Sequence, residues 1–548
     1  MGKIVNLLTQ IKLKQMYKFL SNRVRSSRRD FTPQKNILRR KKVIFQKLLY
    51  IFLLSLSSAQ AHAQFSLTGQ IRPRGEVRKG FANLVPNGAK TAAFISQRTR
   101  LNFGYKWDKL TFGVSAQDVR VWGQDASTIS QADGSRFMLH ESWADLTLAN
   151  KTDTTIKFKL FDNLSLKIGR QELIYDDARL IGNLDWLQQG RRFDMALLKV
   201  VHQGWQVDIG YAFNQNNENF ARTNYVPANI PASVKNNNGV LVPTPANMIP
   251  LVNAAGNSAK TGTPTFTNPP NTNGGNQDYK NFTSIYVARK FGQTRISALY
   301  FHDEFGKYRL DSVNSGGGKV YGRFFDINGT HNRNTFGAMI TPVFGNASGF
   351  GKVAVQAAYY HQNGHDRDGK KLDAYHYTIS ANYSKGKFTL GPGFDYLSGN
   401  KTTTPTTESK RFDPLYGTPH KFWGTMDYFY APTGSPAAGL KDYYFKTKFT
   451  ANQFYVIADY HLFETAQALA NSNSQKLGQE VDLGINYTLN KFTTVELGYS
   501  IMKAEDNMVI AKAQPGSPAD YNKTGHFGYL MINIKPDFLY TKPSAIKQ

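Results

Sequence analysis

From Phe65 to Ile534 the chain alternates apolar and polar residues with a period of two, interrupted by two kinds of connection. Residues 97–117 (QRTRLNFGYKWDKLTFGVSAQ) show the pattern most clearly. Thr99, Leu101, Phe103 and Tyr105 share one face, and Arg98, Arg100, Asn102, Gly104 and Lys106 the other. After the turn Trp107-Asp108-Lys109, Leu110, Phe112, Val114 and Ala116 face one way and Thr111, Gly113, Ser115 and Gln117 the other. Side chains on a strand point alternately to opposite faces, so this is a β-hairpin with an aromatic side and an arginine side. Such a ribbon suits a wall between lipid and water.

The connections supply the topology. Some are very short, such as 107–109, 202–204, 291–292, 384–386 and 490–491; others are long and rich in Gly, Asn, Pro and Thr, chiefly 215–279, 305–331, 400–439 and 504–523. Alternating short turns and long loops build an up-and-down outer-membrane barrel, with turns in the periplasm and loops outside. Nineteen segments read as strands. The weakest, 420–430, would leave an odd number and put a long loop on the turn side, so it is assigned to an external loop. The expected fold is therefore an all-β, transmembrane antiparallel barrel of about 18 strands, with eight turns and nine loops. The insert 215–279 is low in complexity and too poor in apolar residues for a core of its own.

Composition agrees with this reading. Aromatic residues make up 13% of the chain, with 29 Tyr and 37 Phe, and they suit sheet faces and membrane interfaces. No apolar run reaches the roughly 20 residues of a spanning helix. The one continuous run, Leu48 to Leu56, follows the basic stretch Arg39-Arg40-Lys41-Lys42 and precedes Ala61-His62-Ala63. That order marks residues 1–63 as a signal peptide with a long basic n-region, cut before Gln64, leaving 64–548 as the barrel. Residues 1–63 hold 14 Lys and Arg and one acid, so the remainder keeps 53 bases against 38 acids, a formal charge of +15 instead of +28. A basic exported protein points to an anionic ligand or a lipopolysaccharide-facing surface rather than to nucleic acid. There is no cysteine, which excludes disulfides and thiol chemistry.

The charged face carries the candidate chemistry. In the first strand Gln70, Arg72, Arg74, Glu76 and Arg78 oppose Leu67, Ile71 and Val77; Arg98 and Arg100 follow on the second strand and Arg120 on the third. Arginine stays charged and offers a planar donor fork that fits carboxylates. Lining a water-filled lumen, such a ladder would be a track for carboxylated solutes. The alternative is that each arginine is neutralised by an acid of the wall, for which Glu76, Glu141 and Asp145 are candidates. Near the other end, Glu480 and Asp482 oppose Val481, Leu483 and Ile485, giving an acidic wall that closure would bring near the ladder.

The blocks GRQELIYDDARLIGNLDWLQQGRRFD (169–194), ISQRTRL (95–101), LHESWADL (139–146), FDPLYGTPHKFWGTMDYF (412–429) and LGQEVDLGINYTLNK (477–491) together resemble the alginate-export family of outer-membrane proteins, in its Bacteroidetes-like branch. The resemblance covers about 65–534. It implies an eighteen-stranded barrel with an electropositive pore for an anionic polyuronate, covered by a plug. It adds Arg170, Arg179, Arg191 and Arg192 to the pore lining, with Glu172, Asp176, Asp177 and Asp194 among them. The segment 176–190 is expected to fold back toward the pore.

No enzyme signature is present: no GxSxG, no HExxH and no phosphate-binding glycine loop. His140 and Ser142 are close in sequence but belong to no catalytic motif. Asp366 and Asp368 have calcium-like spacing but lack the further acids and terminal Glu of a calcium loop, so no metal and no cofactor are expected. The functional expectation is an outer-membrane channel of a Gram-negative bacterium, not an enzyme. It would pass anionic small solutes or a polyuronate, in either direction. A nutrient porin, or an adhesin or receptor using the long loops, is the alternative. Expected partners are outer-membrane lipid and lipopolysaccharide, the solute and the barrel-assembly machinery, with no nucleic acid.

Overall fold

The computed structural model describes residues 64–123, 137–153, 155–156, 158–214, 226, 230–265, 279–429, 436–470, 472 and 474–539. The expected signal peptide lies outside the described residues. Among those described, eighteen antiparallel strands follow one another round a closed barrel: Gln64–Lys79 (β1), Ala92–Trp107 (β2), Leu110–Val121 (β3), Phe137–Asn150 (β4), Asn163–Gln171 (β5), Phe193–His202 (β6), Trp205–Phe213 (β7), Asn281–Phe291 (β8), Thr294–Gly306 (β9), Thr330–Thr341 with its continuation Val343–Asn346 (β10), Gly351–His365 (β11), Lys371–Lys385 (β12), Phe388–Leu397 (β13), Leu440–Ala451 (β14), Phe454–Glu464 (β15), Lys476–Asn490 (β16), Thr493–Ala504 (β17) and Thr524–Ile534 (β18). β1 pairs with β2 on one side and with β18 on the other, which leaves no free edge.

The two faces separate as the period predicts. Leu101, Phe103, Tyr105 and Trp107 are exposed on the outer wall, whereas Arg98 on the opposite face of the same strand is 1% exposed. Val481, Leu483, Ile485 and Tyr487 of β16 likewise point out, and Glu480 and Asp482 point in. Trp107, Trp205, Phe291, Phe388 and Phe454 stand exposed at the turn end of their strands. An apolar band rimmed by aromatics is the outer surface of a barrel sitting in an outer membrane, in contact with lipid and lipopolysaccharide.

Segment 420–430 lies in the connection between β13 and β14 and forms no strand among its described residues; its only regular piece is the 3-10 turn Pro419–Lys421. One connection is shorter than the alternation implies, since only residues 366–370 join β11 to β12. There Asp366 Oδ1 accepts the backbone N–H groups of Asp368 and Lys370 at 3.0 and 2.9 Å, so the aspartate spacing shapes a turn. The insert 215–279 also differs from expectation. Its described strand Met248–Val252 joins a hairpin of the next loop, Arg309–Ser315 and Gly318–Phe324, in one small sheet. Val234, Val242, Met248, Val320 and Phe324 bury one another there. Neither loop has enough apolar residues for a core, but the two together do.

Candidate functional site

Among the described residues, two long loops meet inside the lumen. The loop after β5 (172–192) and the loop after β13 (398–439) are bonded to each other through their backbones: Tyr416 N–H donates to Leu180 O at 2.9 Å and Gly182 N–H to Tyr416 O at 2.9 Å, making one parallel bridge, and Thr418 N–H donates to Ala178 O at 2.8 Å. The approach is so close that a β-carbon on Gly417 would lie 1.9 Å from the Arg179 carbonyl oxygen, which only glycine permits. Leu180, Ile181, Phe412, Leu415, Tyr416, Phe422, Trp423 and Met426 pack with inward aromatics of the wall, including Phe193, Phe282 and Phe301. The pair forms a plug with an apolar centre and a polar rim.

The rim is tied to the wall all the way round. Asp185 receives Arg98 at 2.8 Å and Arg72 at 3.1 Å. Arg72 also donates to Gln188 Oε1 at 3.1 Å and to Asp185 O at 2.8 Å. Arg74 bonds Glu76 at 2.8 Å and Trp186 O at 2.7 Å, and its guanidinium lies 3.9 Å from the Trp186 ring centre. His420 stacks on the same indole at 3.9 Å. Across the lumen, Arg179 bonds Asp177 at 3.2 Å and Asp395 of β13 at 2.5 Å, and Trp423 Nε1 donates to the same Asp395 at 2.9 Å. Arg333 of β10 bridges Asp303 and Asp413 at 2.7 Å each, and Tyr416 donates to Asp303 at 2.9 Å. Thr425 donates to Asp482 at 2.6 Å, and Met426 N–H to Glu480 at 2.8 Å. Burial alone would penalise the Asp185 carboxylate, but Arg98 and Arg72 outweigh it and hold the group down at about 2.

This geometry sorts the predicted site residues. Arg72, Arg74 and Arg98 face inward but lie beneath the plug with 3%, 3% and 1% exposure, held by protein partners. Arg100 follows them, donating to Gln117 at 2.5 Å with Glu172 at 3.7 Å. Glu76 is spent on Arg74 and Arg78, Asp145 on Lys199 at 2.6 Å, and Glu141 on the Glu172 N–H at 3.0 Å. His140 bonds Glu172 at 2.7 Å, so it does not serve Ser142. Arg191 is buried, and its Nη1 donates to Gly417 O at 2.5 Å. Arg192 reaches Gln189 O at 3.3 Å. Glu480 and Asp482 do face inward, but residues 424–427 cover them, so they anchor the plug instead of forming an open acidic wall.

Arg120, Arg170 and Asp194 are corrections, because none of them lines the pore. Arg120 falls on the face of Leu110, Phe112 and Val114 and is fastened to Asp118 at 2.7 and 2.8 Å. Arg170 lies opposite Ser142 and Asp194, in the outward row of Ile168, Ala144 and Ala196. It clasps Asp194 through two bonds of 2.8 and 2.9 Å. Period two demands these placements: Gln117 and Phe193 point in, so Asp118, Arg120 and Asp194 must point out. Pairing the charges makes them tolerable near the rim of the apolar band.

Sequence reasoning misses the plug anchors Asp185, Gln188, Asp395 and Asp413. The dense aromatics of 412–429 are the one sequence signal that this loop packs inside. Another loop contact is sensitive to pH. Lys512, just after the helix Asp506–Ala511, donates to Tyr428 O, and burial followed by the nearby Arg411 pulls its ammonium down to about 7. An unfolded lysine titrates near ~10.4. Between about pH 7 and 10 the undocked state thus binds more protons, and docking strengthens as pH rises. Hydrogen-exchange protection around 426–429 should increase across that window, and Lys512→Met should flatten the rise.

Inside an outward apolar band, with loops held in its bore, the fold defines an outer-membrane β-barrel channel. Residues 63–212 match the family model described as alginate export. No curated protein matches the chain. Among solved structures it is similar to OpdO of Pseudomonas aeruginosa, at 10% identity and a TM-score of 0.47 over 87% of this chain and 98% of that one. It is also similar to OccK5 (OpdH) of Pseudomonas aeruginosa, at 10% and 0.48 over 86% and 98%, and to OccAB2 of Acinetobacter baumannii, at 11% and 0.49 over 87% and 98%.

Proposed function

We propose that this channel passes anionic solutes, carboxylated saccharides such as a polyuronate among them. The observation that carries the reading is the charge of the lumen on the turn side of the plug. Alternation of the strands turns Lys106, Lys167, Lys199, Arg295, Lys352, Lys446 and Lys448 inward there. The inward acids on the same side are Asp145, Asp208, Asp459 and Glu496. Two of the cations are taken up locally, Lys199 by Asp145 and Lys446 by Asp459 at 3.4 Å. A surplus of weakly held cations attracts anions into the bore without trapping them, which is what conduction requires. A lysine-rich vestibule thus takes the place of the expected arginine track, while Arg72, Arg74 and Arg98 serve the plug.

Planar-bilayer recording tests this. Under a potassium chloride gradient the reversal potential should report chloride preference. Lys106→Glu with Lys352→Glu should lower that preference or invert it. Cation preference in the unmodified channel would refute the reading. The family match over residues 63–212 supports a carboxylated polysaccharide as one such anion.

A further inference from the structure

Between the plug and the turn-side wall lies a cavity of about 510 Å³, within the size range of small-molecule sites. Its roof is the plug segment Ile174 to Asp177, and its wall includes Gln206 of β7, Tyr286 of β8, Arg295 and Ser297 of β9, Met339 of β10 and Gln356 of β11. Tyr175 stacks on Tyr286 at 4.1 Å and 9°, giving one flat aromatic side, and Ile174 is 49% exposed beside it. The charges are arranged differently from those elsewhere in the bore. Asp177 is neutralised by Arg179 and also accepts Gln356 at 2.8 Å. Asp176 instead accepts only uncharged donors at close range, with the Tyr286 hydroxyl at 2.6 Å. Arg295 donates to that same hydroxyl oxygen at 2.9 Å. Among the described residues, no carboxylate reaches Arg295 and no Lys or Arg reaches Asp176 at ion-pair distance.

One carboxylate and one guanidinium therefore face a shared cavity, linked through a single tyrosine oxygen and no more than two hydrogen bonds apart. Arg72, Arg98, Arg179 and Arg333, which fasten the plug to the wall, each reach an acid directly. We propose that this cavity binds a small zwitterion, an α-amino acid with an apolar side chain. Its carboxylate lies on the open fork of Arg295 and its ammonium on Asp176, and its side chain packs against Ile174 and Met339. Each charged end meets the complementary charge, and neither protein group is left unpaired. This goes beyond anion conduction and does not depend on it.

The test is calorimetric titration of the purified full-length barrel with L-leucine, 4-methylpentanoate (leucine without its ammonium) and isoamylamine (leucine without its carboxylate). Leucine should bind at least about tenfold more tightly than either analogue, since each loses one charge-assisted contact. Arg295→Gln and Asp176→Asn should each weaken leucine by about tenfold or more. Asp176→Asn keeps an acceptor for Tyr286, and unchanged single-channel conductance would show that the plug is still seated. No leucine binding, tighter binding of 4-methylpentanoate, or leucine binding indifferent to both variants would overturn the proposal. Cation preference in bilayers alongside normal leucine binding would sink the anion-channel reading and leave this one standing.

Discussion

Asp185→Ala is expected to turn a quiet channel into one of larger and noisier conductance. Asp185 is the acid of the plug that receives Arg72 and Arg98, whose side chains are 4% and 1% exposed. Without it two guanidiniums stay buried, with only Gln188, Gln70 and backbone oxygens to take their hydrogens. Removing one partner of a buried pair costs about 3 kcal/mol at the low end, which applies because Asp185 is itself half-exposed. That is roughly a hundredfold shift toward the undocked loop. Single-channel recording should show added open levels or flicker, with barrel content unchanged by circular dichroism. Conductance identical to the unmodified protein would mean that the loop is held without this pair. Acid should mimic the substitution only late. The docked carboxyl sits at about 2, against an ordinary ~3.9, so its contribution is complete above about pH 4 and is lost as pH falls toward 2.

Arg179→Met should loosen the opposite edge of the plug and cost more. Arg179 is 3% exposed and ties Asp177 of its own loop to Asp395 of β13, which also holds Trp423 of the second loop. Truncation would leave the fully buried Asp395 with one indole N–H in place of a guanidinium, at a cost of about 3–5 kcal/mol. The backbone bonds between the two loops at Tyr416 should fray with it, because Thr418 N–H is held by Ala178, the neighbour of Arg179. The expected readouts are faster proteolytic cutting within 176–190 and 412–429, and higher conductance. Asp395→Asn with Arg179→Met should recover part of the loss, since Asp395 is then no longer a buried carboxylate stripped of its cation. Protease resistance equal to that of the unmodified protein would show the plug to be carried by its apolar packing alone.

Much of the wall is legible in the sequence. The faces of β1, β2 and β16, the eighteen strands and the place of 420–430 in a loop all follow from a period of two and from the spacing of turns. The same rule places Arg120 correctly, because it shares parity with Phe112; grouping it with the ladder by charge ignores that parity. Family likeness puts Arg170 and Asp194 in the pore, and the register through Ser142 overrides it. The sequence suggests that loop 172–192 turns toward the pore, but it does not show the loop's partner. Residues 412–429 stand out there as a family-like block dense in aromatics, with nothing that pairs them with 172–192.

The division has a physical basis. Strand identity and sidedness are local: each residue's face depends on its neighbour's, and lipid outside and water inside enforce one pattern at every step. The sequence by itself therefore determined the barrel, its wall and which arginines of the first two strands point in. Which of those arginines meet solute was decided only by tertiary structure. Arg98 finds Asp185 87 residues away, Arg179 finds Asp395 216 residues away and Arg191 finds Gly417 226 residues away. Such pairings depend on where two long loops come to rest inside a closed wall, and no periodicity encodes that. The inward charge that remains available after they dock lies on Arg295 and the lysines below the plug.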